Sequence, residues 1–236
     1  MRINVVTTVT ARMHFRHELI DHLDLTTVEA GGKRFYQTTS GERFPSVTTM
    51  LSATVDKSGL NEWRDRVGEE EALHVMRRSG TRGTAMHNMC EKYLLNDPTY
   101  NRGVMPSVQV LFNQVRPVLD ARVDLVMATE IPMFSRHLRL AGRCDVVGRF
   151  DGKRSIIDYK TTNWAKDMDM LESYFIQEAC YAIMFEECYG IPITQLVTIS
   201  AGESEPEAQV IIEHRDNWAP KALELISKFY ENNCVL

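Results

Sequence analysis

The chain has 236 residues, 44% apolar and 25% charged, with a formal net charge of -5. That composition suits one sizeable hydrophobic core and excludes disordered and fibrous classes. The longest uninterrupted apolar run, Ala179 to Phe185, is far shorter than the roughly 20 residues of a membrane-spanning helix, so no membrane partner is expected. Five cysteines without a CxxC pair (Cys90, Cys144, Cys180, Cys188, Cys234) argue against a disulfide framework and for a reducing, cytoplasm-like compartment. They argue equally against zinc or iron–sulfur ligation. The first residues alternate like a strand and lack the apolar stretch of a secretory signal.

In chain order, the spacing predicts a strand near Ile3 to Thr10 and a hairpin turning at Gly31-Gly32. A helix capped by Ser58 runs to about Ser79, and a second from Thr81 or Thr84 to about Leu95 is stopped by Asn96-Asp97-Pro98. Pro106 to about Val123 reads as a third helix, kinked at Pro117. Then the period changes to two: strands are expected at Leu125 to Ser135, Leu138 to Phe150 and Lys153 to Lys160. A helix from about Met170 to Cys188, strands at Gln195 to Ser200 and Ala208 to Glu213, and a helix from Trp218 to Asn232 complete the chain. This order predicts an α/β (α+β) fold with a central mixed sheet flanked by helices. No repeat or long linker appears, so residues 1–236 read as a single domain. Within it, 1–42 form a β-rich extension, 43–124 a helical region, 125–213 a sheet with a helix, and 214–236 a terminal helix.

Charge is uneven. Residues 131–160 carry seven basic against three acidic side chains, whereas 201–236 carry three basic against seven acidic. The positive segment contains Asp151-Gly152, a strong two-residue hairpin signal. Such a turn pairs Phe150 with Lys153 and, by continuing the register, Asp145 with Asp158. Opposed carboxylates repel unless a cation lies between them, and all-oxygen ligation suits Mg²⁺ or Mn²⁺. Lys160 projects from the same face as Asp158. Beside a metal it either positions and helps deprotonate an attacking water or offsets charge on a phosphorane-like transition state. The set fits phosphodiester hydrolysis. An isolated Asp-x-Lys triplet is ordinarily a solvated face, but Ile156-Ile157 mark a buried strand and Gly142 suggests close backbone approach.

Glu130, Gly142-x-x-Asp145, Asp158-Tyr159-Lys160 and Gln177-x-x-x-Tyr181 together resemble the RecB-like branch of the PD-(D/E)XK nuclease superfamily. Phe44-Pro45-Ser46-Val47-Thr48-Thr49-Met50-Leu51 and Gly83-Thr84-Ala85-Met86-His87 resemble its mitochondrial genome maintenance exonuclease group and phage and bacterial relatives. The resemblance implies a restriction-endonuclease-like core. It makes Asp145, Asp158, the Tyr159 carbonyl and His87 the metal ligands and Lys160 the catalytic lysine, with Glu130 within reach of the metal. Gln177 and Tyr181 would touch the scissile phosphate or orient the lysine. The segment holding Ser46 and Thr48 would contact the DNA strand. Arg77, Arg78, Arg82, Arg136, Arg139 and Arg143, with Thr161 and Trp164, are further candidate DNA contacts; core packing or solvated helix ends are the plainer readings of these residues and of His87.

The reading is a Mg²⁺- or Mn²⁺-dependent DNA exonuclease preferring single-stranded DNA or single-stranded ends. The alternatives are a structure-specific endonuclease and a catalytically vestigial DNA-binding or protein-interaction module. No nucleotide cofactor is expected, because no Walker-type loop is present. Replication or recombination proteins are conceivable partners. The cytoplasm of a bacterium or phage-infected cell is expected ahead of a mitochondrial matrix.

Overall fold

The computed structural model describes residues 14–56, 58–162 and 168–232, those from 168 to 170 by backbone alone. The strand expected at Ile3 to Thr10 lies outside this range. A short β1 (Arg16–His17) leads to β2 (Leu25–Ala30) and β3 (Lys33–Thr38), which form the hairpin expected at Gly31-Gly32. Both glycines have positive φ, as the turn requires. The hairpin gains a third strand, β4 (Arg43–Pro45), making a separate three-stranded sheet. α1 (Val47–Thr54) follows at once, with the Ser46 side chain accepting the Thr49 N–H as N-cap.

α2 (Ser58–Val67) begins where expected, but Asp56 rather than Ser58 supplies the capping oxygen: it accepts both the N–H and the hydroxyl of Ser58. The predicted helix break near Gly80 is also corrected. The chain breaks at Gly68, whose φ is 87°, and α3 (Glu69–Leu94) runs unbroken through Gly80 and Gly83. Glycine inside a helix costs about 1 kcal/mol relative to alanine but does not end it; a residue forced to positive φ does. α4 (Pro106–Arg122) continues through Pro117.

The β-branched segments then pair as β5 (Val123–Ser135), β6 (Leu140–Phe150) and β7 (Lys153–Thr162). α5 (Met168–Tyr189), β8 (Gln195–Gly202), β9 (Gln209–His214) and α6 (Arg215–Asn232) follow. The large sheet has strand order β1-β5-β6-β7-β8-β9, parallel at β1/β5 and β7/β8 and antiparallel elsewhere. One face packs against α1, α5 and α6 through residues such as Ile176, Phe185 and Phe229. The other packs against α3 and α4 through Met86, Phe112 and Val115. The mixed α/β architecture with helices on both faces agrees with the fold read from the sequence.

The hairpin register is as calculated from Phe150↔Lys153 to Val146↔Ile157 and stops there. Cys144 and Val147, three residues apart, both pack in the core layer on the α5 side, whereas Val146 packs on the other. The in-and-out alternation therefore slips by one at Asp145. The expected Asp145–Asp158 ladder pair is not made, and the Asp145 carboxylate itself accepts the Tyr159 N–H at 2.8 Å. On its other side, the pairs Thr129↔Val146 and Ile131↔Cys144 bracket Glu130 against Asp145, and Glu130 has a φ of 47°. Three acidic residues thus lie in a row across β5, β6 and β7, where the sheet is locally deformed.

Candidate active site

A cleft of ≈ 560 Å³ opens above this row. Glu130, Asp145, Asp158 and Lys160 form its sheet side, and Thr84, His87 and Asn88 of α3 border it. Gln177 and Tyr181 of α5 come from across the sheet, and Thr27, Glu29, Arg34 and Tyr36 of the small sheet close it, with Ser46 and Thr48. Gly142 explains how Tyr181 fits: a Cβ there would lie 2.5 Å from the tyrosine ring, so only glycine admits it.

The charged groups are held by one another. His87 Nδ1 lies 3.3 Å from Asp145 Oδ2, and the ring meets Tyr159 edge-on at 5.7 Å between centroids. Lys160 is ion-paired with Asp158, which is 2% exposed by side chain, and sits 4.8 Å from the Tyr174 ring. Gln177 Nε2 donates to Asp158 at 3.1 Å and to the Tyr181 hydroxyl at 3.2 Å. Gln177 thus contacts the carboxylate that pairs with Lys160.

Burial governs the protonation equilibria. It raises Glu130 to about 7, with Asp145 adding to the effect. It raises Asp158 to about 6 against the opposing pull of Lys160. Burial pulls His87 down, but Asp145 overrides it and lifts the imidazole to about 9. Asp145 resists its own burial and is held below the ordinary carboxylate range by His87. Burial also pulls Lys160 down, yet Asp158 and Asp145 keep it above its ordinary value, so the ammonium stays charged.

His87, Glu130 and Asp145 each place one ligand atom within 4.8 Å of the others. Octahedral coordination at about 2.1 Å separates ligand atoms by roughly 3 to 4 Å, so this donor set fits a divalent cation after a small contraction. Four carboxylates in the cleft (Glu29, Glu130, Asp145, Asp158) face Arg34, Arg143, Lys160 and the His87 imidazole; a cation held by His87 would take the place of its proton, leaving four carboxylates against three basic side chains.

Of the candidates named from the sequence, the cleft gathers His87, Glu130, Asp145, Asp158, Lys160, Gln177, Tyr181, Ser46, Thr48 and Arg143. It does not gather the other arginines. Arg82 is buried inside α3 and ion-paired with Glu203, and Arg78 also pairs with Glu203 at 3.7 Å. Arg136 pairs with Glu42 at 2.7 Å, and Arg139 stacks on Tyr230 beside a separate apolar cavity. Arg77 is exposed on α3. Thr161 packs near Gly83, and Trp164 lies outside the described residues. Arg77, Arg78, Arg82, Arg136 and Arg139, named as candidate DNA contacts, thus lie outside the cleft; for Arg77, Arg78 and Arg82 the expectation assumed a helix break before His87, where α3 runs unbroken. Sequence reading missed Glu178, wholly buried on α5 and accepting from Thr198 at 2.5 Å, although a carboxylate set among Phe175, Ile176, Ala179 and Cys180 was a visible signal. It missed Glu29 and Arg34 as well, which only the tertiary fold brings to the site.

A buried lysine–carboxylate pair beside a histidine and two further carboxylates, set where a mixed sheet is deformed, is the kind of site that hydrolyses phosphodiesters with a metal ion. The profile of the PD-(D/E)XK nuclease superfamily matches residues 33–228, and the chain belongs to that superfamily. No curated protein matches it. Among solved structures it is similar to a candidate exonuclease from Eubacterium rectale, with 16% identity and a TM-score of 0.40 over 64% of each chain. It is also similar to Rai1 from Scheffersomyces stipitis, crystallised with (3'-NADP)+ and a calcium ion, with 13% identity and a TM-score of 0.33 over 89% of this chain and 53% of that one. The chain spans less than two thirds of either of these solved chains. Among the described residues, no helix is long and apolar enough to cross a membrane.

Proposed function

We propose that this nuclease is a Mg²⁺- or Mn²⁺-dependent deoxyribonuclease that shortens single-stranded DNA, or single-stranded ends, from a terminus. The observation that carries the reading is the convergence of His87, Glu130, Asp145, Asp158 and Lys160 in one walled cleft. His87, Glu130 and Asp145, with Asp158 and the Tyr159 carbonyl beside them, would hold the cation. When bound, it supplies Lewis-acid neutralisation of the phosphate. The chain's own groups do the rest. Lys160, kept cationic by Asp158, offsets the negative charge that builds as water adds to phosphorus and the phosphorus–oxygen ester bond breaks. Gln177 fixes Asp158, and Tyr181 braces Gln177. The cationic state of Lys160 favours this electrostatic role over proton abstraction. Enclosure between α3 and the small sheet supports a single-stranded substrate, because a duplex is wider than a single strand.

The test is a pair of end-labelled single-stranded DNAs of one sequence, linear and covalently closed, with Mg²⁺, with Mn²⁺ and with excess chelator. Shortening of the linear strand alone, abolished by chelator, is expected. Rapid nicking of circles would convert the reading to an endonuclease, and binding without any cleavage to a vestigial module.

A further inference from the structure

The small sheet does more than precede the catalytic fold. It is fixed against the strand that carries the site: Ser46 bridges to Ala141 of β6, Tyr36, Phe44 and Ala141 form a buried cluster, and Phe44 stacks on Phe134 at 5.3 Å between centroids. Arg34 is pinned at its backbone. Its N–H donates to the Thr49 hydroxyl at 3.2 Å, and its carbonyl accepts from the Ser46 N–H at 2.9 Å and from the Thr49 hydroxyl at 3.1 Å. Yet its side chain lies exposed in the cleft. Across the ladder stands Glu29, but among the described residues no carboxylate comes within ion-pair distance of the Arg34 guanidinium. The other basic groups of the cleft are engaged: Lys160 with Asp158, and Arg143 with Glu130 at 4.0 Å. A guanidinium held on a rigid wall and left without a partner matches a phosphodiester oxygen pair in its fork geometry.

We infer that the β2–β3 hairpin is a substrate clamp in which Arg34 binds a backbone phosphate of the nucleic-acid strand next to the one being cleaved, with Glu29 weakening that grip. The inference rests on the proposed function and adds a subsite to it. A uniform phosphate contact of this kind affects binding more than the chemical step.

The experiment uses the full chain and a labelled oligothymidylate. Arg34→Gln should raise KM about 10-fold with kcat nearly unchanged, and in chelator should weaken binding and reduce the dependence of log Kd on log salt by about 0.7. Glu29→Gln should lower KM, and Arg34→Lys should fall between parent and Arg34→Gln. Arg102→Gln, which removes an equal charge from an exposed turn, should leave KM unchanged. An Arg34→Gln enzyme with the parent's KM, or one that loses kcat at constant KM, overturns the inference, as does an equal effect of Arg102→Gln. Should Arg34→Gln melt early, the direction of the Glu29→Gln change decides. Failure of the parent to cleave would refute the proposed function, while the binding arm would still read Arg34.

Discussion

The two walls of the cleft are built on opposite principles. On the sheet side every ionisable group is held by another: Asp145 by His87 and the Tyr159 N–H, Asp158 by Lys160 and Gln177. On the small-sheet side Glu29 and Arg34 are exposed and rest on a fixed backbone. Chemistry needs groups that do not reorganise as charge develops, so they belong in a buried, mutually satisfied network. Sequence-independent binding needs only charge at the right distance, which an exposed side chain supplies at little folding cost. Substitutions on the first wall should therefore act on rate, and those on the second on affinity.

The largest expected effect comes from Lys160→Ala. It removes the cation paired with buried Asp158, and should lower kcat by about 10²-fold or more while DNA binding persists. Single-turnover cleavage alongside an anisotropy titration measures both. A variant with near-parental kcat would move catalysis off this wall.

Next in size is Gly142→Ala. The added methyl would stand 2.5 Å from the Tyr181 ring, and overpacking of this kind costs about 1–3 kcal/mol. Since Tyr181 braces Gln177, and Gln177 holds Asp158, kcat should fall about 10- to 100-fold as well. Gly148→Ala is the matched comparison, because its methyl would meet the Leu125 carbonyl oxygen at 2.6 Å, away from the cleft. It should destabilise similarly but leave kcat per folded molecule intact. Equal losses of kcat in both would mean that the first wall is sensitive to packing in general.

A pH series sharpens the same contrast. Glu130 is raised from 4.5 to about 7, and Asp158 from 3.8 to about 6. An acid raised in this way binds its proton more tightly in the fold, so stability falls as pH climbs through that interval. His87, raised from 6.5 to about 9, contributes stability that is complete below 6.5 and lost as pH rises through 9. Asp145 is depressed, so its contribution lies at pH above 3.8 and is lost only in acid. In chelator the melting midpoint should therefore drop from about pH 4.5, where Glu130 and Asp158 begin to lose stabilisation, to about pH 9, where His87 loses the last of its own. The rise produced by Mn²⁺ should grow over the same range, because a cation replaces the same protons. His87→Ala should shrink that rise and flatten the alkaline part of the drop. A midpoint that climbs with pH in chelator would break the account.

Much of the first wall was readable in the chain itself. Asp151-Gly152 fixes the hairpin register, and Phe150↔Lys153 through Val146↔Ile157 follow it. What the arithmetic could not show is the slip at Asp145, which depends on Cys144 and Val147 packing in one layer. Continued by the same arithmetic, the four-residue turn from Arg136 to Arg139 would have set Glu130 opposite Asp145. The second wall was not readable, because Arg34 reaches the site only through the docking of β4 and Ser46 on Ala141, a contact between segments about a hundred residues apart in the chain. Arg82 misled for a related reason: its partner Glu203 is equally remote in sequence and cancels it.

The smallest expected effect concerns Tyr159, which sits at the centre of the first wall. Its side chain is 1% exposed, and among the described residues its hydroxyl has no hydrogen-bond partner, an arrangement that is costly because a buried hydroxyl has lost its water. The residue serves the site through its backbone, whose N–H is donated to Asp145, and through the ring edge against His87. Tyr159→Phe keeps both and removes only the unpaired oxygen. Stability should stay level or rise by up to about 1 kcal/mol, and kcat and KM should match the parent. Thermal unfolding and steady-state cleavage of the same preparation test this. A clear loss of kcat would mean that the hydroxyl takes part in the network and that the first wall extends deeper into the core than its charged groups.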